Sequence, residues 1–147
     1  MSLSLRESWN RVASGLEAWI GMDLVLAVSR VGIASVFFYS GRTKVEGFLR
    51  VTDGAVALFR DEYHLTLVDP WLAAHAAAYA EHLFPLLLVL GLGTRLSALA
   101  LLGMTLVIEV FVYPDAWPTH LSWAAPLLPL AARGAGVWSV DRWLKLR

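Results

Sequence analysis

Residues 71–92 read WLAAHAAAYAEHLFPLLLVLGL. About 20 helical residues cross roughly 30 Å of hydrocarbon, and this stretch has that length. It also contains Glu81 and two histidines, His75 and His82. Ionisable groups at membrane depth are costly, so they turn toward a protein interior and find partners. The stretch is therefore read as a membrane-crossing helix packed against others. Asp69-Pro70-Trp71 in front of it supplies an N-cap, a first-turn proline and an interfacial ring. GLGTR at 91–95 ends it in a short, glycine-rich turn.

Working outward, three further segments have membrane-span length: about 22–41, 96–113 and 119–138. Each carries some polar residues, which places a polar stripe toward a bundle interior. Irregular backbone cannot face lipid, so all four are expected as helices. The turns GLGTR and YPDAWP (113–118) are short and imply antiparallel neighbours. The expected fold is an all-α, integral membrane four-helix up-down bundle, one domain over 1–147, without a clear repeat. The one long connection is 42–70. Within it EGFLRVTDGAVALFRDEY (46–63) mixes apolar and charged residues at roughly helical spacing, which predicts an amphipathic surface helix. Residues 5–20 are amphipathic too, with Trp9 and Trp19 as interfacial rings.

Composition agrees. The chain has 147 residues, 58% hydrophobic and 16% charged, against about a quarter charged in soluble domains. Net charge is zero, so no nucleic-acid or polybasic lipid surface is indicated. Without cysteine the chain itself has no disulfide, thiolate metal site or thiol redox chemistry. MSLSLRESWN lacks the layout of a cleaved signal peptide, and the first span is expected to act as an uncleaved anchor. With both termini on one side, seven Lys and Arg flank that side and four the other. That predicts cytoplasmic termini and places loop 42–70 outside.

The polar residues inside the spans are the candidate site. Measured by helical rise from the outer ends of the spans, Arg30, Glu81 and His82 share a middle layer about 15–18 Å deep. Glu109, His75 and His120 fall in an outer layer, with Lys44 and Arg42 above it. His75, Tyr79 and His82 are spaced i, i+4, i+7 and share a face, while Glu81 points about 100° away along Ala74, Ala77 and Ala78. Those small residues would admit another helix closely. Arg30 is the expected partner of Glu81, as a structural ion pair or as a ligand-polarising or proton-relay pair. His75 and His82 lie about 10 Å apart along the axis and cannot both ligate one haem. A bis-histidine site would need His120 or a second chain. Glu109, His120 and His75 have ligand types that suit zinc or copper, but no spacing motif joins them. Glu109 is expected to bond Thr105 or His120, and Lys44 to snorkel at the interface. Trp123, one turn from His120, could line a pocket for a planar ligand. There is no phosphate-binding glycine loop, GxSxG or HExxH.

Arg30, SGRTK (40–44), AEHLFPLLLVLGLGTR (80–95), VYPDAWPTHLSW (112–123) and RGAGVWSVDR (133–142) together resemble the DoxX family of small membrane proteins, over about residues 24–144. The resemblance implies kinship with the small membrane subunit of a quinone-reducing thiosulfate oxidoreductase, and with relatives tied to sulfur handling, redox stress and copper. It carries over Arg30, Lys44, Glu81, Glu109 and His120 as the polar positions to test. Two departures are RGAG at 133–136, where RGPG is expected, and HLTLVDP at 64–70, where the family has a proline-containing segment.

The leading expectation is an inner-membrane quinone- or quinol-interacting subunit of an oxidoreductase system. Glu81, His82 and Arg30 are its catalytic candidates. His82, Tyr79, His120, Trp123 and Lys44 are its quinone-binding candidates. Histidine suits this because it titrates near neutrality. The chain has no electron carrier of its own, so a bound cofactor or a partner redox protein must supply one; haem and copper stay open. A bundle this small offers little room for a large cofactor, which favours a homo-oligomer. Two rival readings are a membrane scaffold or assembly factor recruiting a periplasmic redox or metal enzyme through loop 42–70, and a metal-handling or transport protein.

Overall fold

The computed structural model describes residues 4–63 and 68–146. The segment 64–67, and with it most of the HLTLVDP departure, lies outside the described residues.

Ser4 opens α1 (Leu5–Trp19) with a reciprocal cap: its hydroxyl accepts from the Glu7 N–H, and Glu7 accepts from the Ser4 N–H. No residue of α1 is buried. Leu5, Trp9, Val12, Leu16 and Trp19 are all exposed, at the spacing of one helix face. Helix α2 (Met22–Thr43) follows after Gly21. Next come two short antiparallel strands, β1 (Val45–Glu46) and β2 (Arg50–Val51), with Val45 opposite Val51. A Thr52 cap then starts α3 (Asp53–Leu58), which runs into a π-helical turn, Phe59–Tyr63. The expected amphipathic helix over 46–63 is thus a hairpin plus a short helix. Gly47, at φ +55, makes the turn that a helix would not allow.

Helix α4 (Pro70–Leu90) begins as its sequence predicts, with Asp69 capping the Leu72 N–H and Pro70 at its first position. It ends at Gly91 in the left-handed conformation, φ +67. Helix α5 (Thr94–Phe111) starts two residues later. A 3-10 turn, Pro114–Ala116, leads to α6 (Trp117–Arg133), and α7 (Val140–Trp143) closes the chain.

Among the described residues three helices, α2, α4 and α5, are long and apolar enough to cross a membrane. The segment expected as a fourth span stops at Arg133 rather than 138. Gly134 (φ +83) and Gly136 (φ +78) turn the chain back there, and Pro126 and Pro129 interrupt the hydrogen-bond ladder before it. Even so, one core joins all four helices: Leu26, Ile33, Ala34 and Phe37 of α2, Leu88 of α4, Ala98 and Leu101 of α5, Leu127 and Leu130 of α6. A second cluster, Phe59, Ala73 and Ala74, seats the loop 42–63 on the first turns of α4. The outward faces keep many large apolar side chains exposed, such as Val28, Leu83, Leu99 and Leu106. That is unfavourable against water and suited to lipid.

The loop is also pinned to α5. The Tyr63 ring meets both Phe59 and Tyr113, and the Tyr113 hydroxyl donates to the Glu62 carboxylate. That bond pushes the Tyr113 hydroxyl up to about 12 from its ordinary 10.0. The folded value lies above the unfolded one, so the contact stabilises fully below pH ~10 and is lost as pH rises through ~12. A tyrosinate absorbance titration should show Tyr113 titrating late, beside Tyr63, which burial also pushes up, and Glu62→Gln should bring Tyr113 earlier.

Candidate functional site

The polar centre forms where α2 and α4 cross. In SGRTK, Ser40 and Lys44 are four residues apart, and both reach the same carboxylate. The Lys44 ammonium donates to Glu81 Oε2 at 2.7 Å and to Ser40 Oγ at 3.0 Å, and Ser40 Oγ donates to Glu81 Oε1 at 3.3 Å. The Lys44 and Glu81 side chains are only 8% and 4% exposed. Between Ser40 and Lys44, Gly41 lies so near α4 that a Cβ on it would fall 2.9 Å from both Glu81 Cβ and the His82 ring. The absent side chain is what lets the two helices touch at this level.

His82 is buried beside this pair. Its Nδ1–H donates to the Ala78 carbonyl at 2.6 Å, and the half-buried Phe38 ring stands edge-on to it at 5.3 Å. With Nδ1 as the donor, Nε2 is left as a bare acceptor, and it is buried without a partner. Pro85, one turn on, has no N–H to give the Glu81 carbonyl, which adds a second acceptor at the same level.

A second pair faces α2 from the other side. Glu109 of α5 accepts from His120 Nδ1 of α6 at 2.5 Å. His120 lies against Trp123, and Trp123 against Phe37. Phe37 is one turn below Gly41, and Trp123 one turn below His120. Both pairs therefore sit within about one helical turn, ~5 Å, of a common level. Of the two partners open to Glu109, the structure uses His120; Thr105 instead donates to the Leu101 carbonyl.

Several expectations are corrected. Arg30 does not pair with Glu81. It lies eleven residues before Gly41, roughly 16 Å along α2, where its Nη1 approaches Gly91 and its Nη2 donates to the Trp138 carbonyl at 2.6 Å. Helical rise brings Arg30 level with Glu81 only if the outer ends of α2 and α4 share one level. In fact the first turns of α4 rise past the end of α2 to pack on the loop, so Gly41, not Arg30, is level with Glu81. Of the stripe Ala74, Ala77 and Ala78, the first two meet Phe59 and its neighbours in that loop, and Ala78 is fully buried. Lys44 is buried in the pair rather than snorkelling. Nor do Glu81 and His82 serve separate surroundings, because α2 covers both. Tyr79 is exposed, and His75 stacks on Trp71 with centroids 3.9 Å apart, away from His82. Among the described residues no three His, Asp or Glu side chains are placed to hold a metal, so His75 does not join Glu109 and His120. Sequence reasoning missed Ser40 and Gly41, although the i, i+4 spacing of Ser40 and Lys44 was the signal that could have found them.

The DoxX family model matches residues 25–114, from early in α2 to just beyond α5. This chain belongs to the DoxX family. The match takes in Lys44, Glu81, His82 and Glu109, though not His120. The DoxX chain is also similar to an uncharacterized protein of Haemophilus influenzae, 30% identical over 137 residues, which cover 86% of this chain and 87% of that one. No solved structure gives a significant match. Family membership and the three apolar helices together point to an integral membrane protein.

Proposed function

We propose that this DoxX protein is a single-domain, four-helix up-down membrane bundle whose polar layer interacts with quinol, as a subunit of an inner-membrane oxidoreductase system with cytoplasmic termini. The observation that carries this reading is the buried Nε2 of His82, an acceptor without a donor beside a closed Lys44–Glu81 pair. A quinol hydroxyl is a donor of the right kind. Its proton passes to Nε2, and the neighbouring Glu81 carboxylate stabilises the imidazolium that forms. Glu109–His120 is a second proton-carrying pair in the same layer. The electrons leave to a partner redox protein, since this chain brings no carrier of its own. In this reading the quinol ring enters from the lipid face by displacing the half-buried Phe38 ring, which stands edge-on to His82. Homo-oligomer contacts through the apolar outer faces belong to the same reading.

A second reading has its own support: Lys44, Glu81 and Ser40 satisfy one another fully, as a purely structural pair would. In that case the protein is a scaffold or assembly factor for a redox or metal enzyme, and His82 has no ligand.

The two are separated by a ligand-identifying mass spectrum of protein extracted gently from its membrane. The quinol reading expects co-purified quinone that is lost from His82→Leu, with helix content and melting retained. Wild-type protein free of quinone, and unable to bind an added short-chain quinol, would count for the scaffold.

A further inference from the structure

Five buried side-chain polar atoms have no hydrogen-bond partner among the described residues. One is His82 Nε2. The other four, Arg30 Nε, Arg30 Nη1, Thr94 Oγ1 and Ser97 Oγ, lie toward the opposite end of the protein. Unpaired buried donors are costly, and of these three residues Thr94 is the one that lines a cleft. Arg30 is 4% exposed, and Thr94 and Ser97 are fully buried. The carboxylate nearest these groups, Asp141, is already used: it accepts from the Gly93 N–H at 2.7 Å and the Thr94 N–H at 3.0 Å. Asp23 is likewise engaged, by the Val137 N–H at 2.9 Å.

Thr94 lies in the wall of a cleft of about 750 Å³ between the starts of α2 and α5 and the segment 133–142. Arg95, Arg133 and Arg142 line that cleft, against Asp23 and Asp141 as its acids. Arg95 donates to the Ala131 and Ala132 carbonyls, while the Arg133 and Arg142 guanidinium groups have no protein partner among the described residues. Met22, Leu26 and Leu96 add an apolar wall. The cleft lies at the starts of α2 and α5, and so at the ends of two helices apolar enough to cross a membrane.

We propose that this cleft binds the phosphate of an anionic phospholipid. Arg133 and Arg142 hold the phosphate oxygens, Thr94 donates its free hydroxyl from the wall, and the acyl chains run along Met22 and Leu26. The planar guanidinium suits a phosphate through paired bonds. The site is separate from the quinol layer and does not depend on it.

The test is native mass spectrometry of the full chain in detergent, with phosphatidylglycerol, phosphatidylcholine or inorganic phosphate added in turn. Phosphatidylglycerol should be retained in preference to phosphatidylcholine. Arg133→Gln with Arg142→Gln should weaken that retention about tenfold or more. Thr94→Val should weaken it too while leaving the melting temperature equal or higher, because it deletes an unsatisfied buried hydroxyl. If inorganic phosphate binds with the same arginine dependence and displaces the lipid, the site takes a phosphate from solution as well as from a headgroup. Equal retention of both lipids, or retention indifferent to all three substitutions, overturns the proposal.

Discussion

Glu81→Ala should destabilise the protein by about 3–5 kcal/mol, because it leaves the Lys44 ammonium buried and unpaired. The side chains are 8% and 4% exposed, so water cannot take over the lost contact. Lys44→Met alone should cost a similar amount, since it strands the carboxylate. The double variant Lys44→Met with Glu81→Met should recover most of the loss and could exceed the parent, as buried pairs replaced by apolar side chains often do. Thermal melts of the three variants in one detergent measure this directly. Additive losses in the double variant would mean that the two groups are not a coupled pair. The double variant also separates folding from chemistry. It removes the carboxylate that steadies a protonated His82, so it should fold and yet lose quinol-dependent proton uptake.

Gly41→Ala should have the second-largest effect, about 1–3 kcal/mol. One added carbon would stand 2.9 Å from Glu81 Cβ, which is fixed to the α4 backbone, and from the His82 ring, which is held by its bond to Ala78. Neither can yield without separating α2 from α4. Gly32 supplies the control within the same helix. Nothing lies within 4 Å of its Cβ position, so Gly32→Ala should be neutral or stabilise by roughly 0.5–1 kcal/mol. If both substitutions behave alike, close approach at Gly41 is not what fixes the crossing. Gly41→Ala should also weaken quinol binding, because it moves the His82 ring.

Much of this fold is written in local signals. Apolar length marks α2, α4 and α5. Asp69-Pro70 marks the start of α4, and Gly91 its end. The apolar face of α1 can be read from residue spacing. The site was legible as a set of residues more than as a set of contacts. Lys44, Glu81, His82, Glu109 and His120 stand out because charged or titratable groups are rare in apolar segments, and Glu109–His120 meets as one of its expected partners. The pairing of Glu81 was not legible, because it depends on how far α4 slides along α2. That offset comes from Phe59, Ala73 and Ala74 packing above the end of α2, a contact between distant parts of the chain. Helical rise gives distances along one helix but no common origin for two. The end of α6 at Arg133 was missed for a similar reason. The apolar pattern continues through Val137 and Trp138, while the left-handed glycines 134 and 136 already turn the chain.

The most direct test of the quinol reading is the nitrogen NMR signal of His82 Nε2 in histidine-labelled protein, titrated with a short-chain quinol and, separately, with its dimethyl ether. The ether has the same ring but no hydroxyl to donate. A large Nε2 shift with the quinol and none with the ether is the predicted result. An Nε2 signal that ignores both, or that answers both equally, would contradict a role for His82 as the acceptor of a quinol proton.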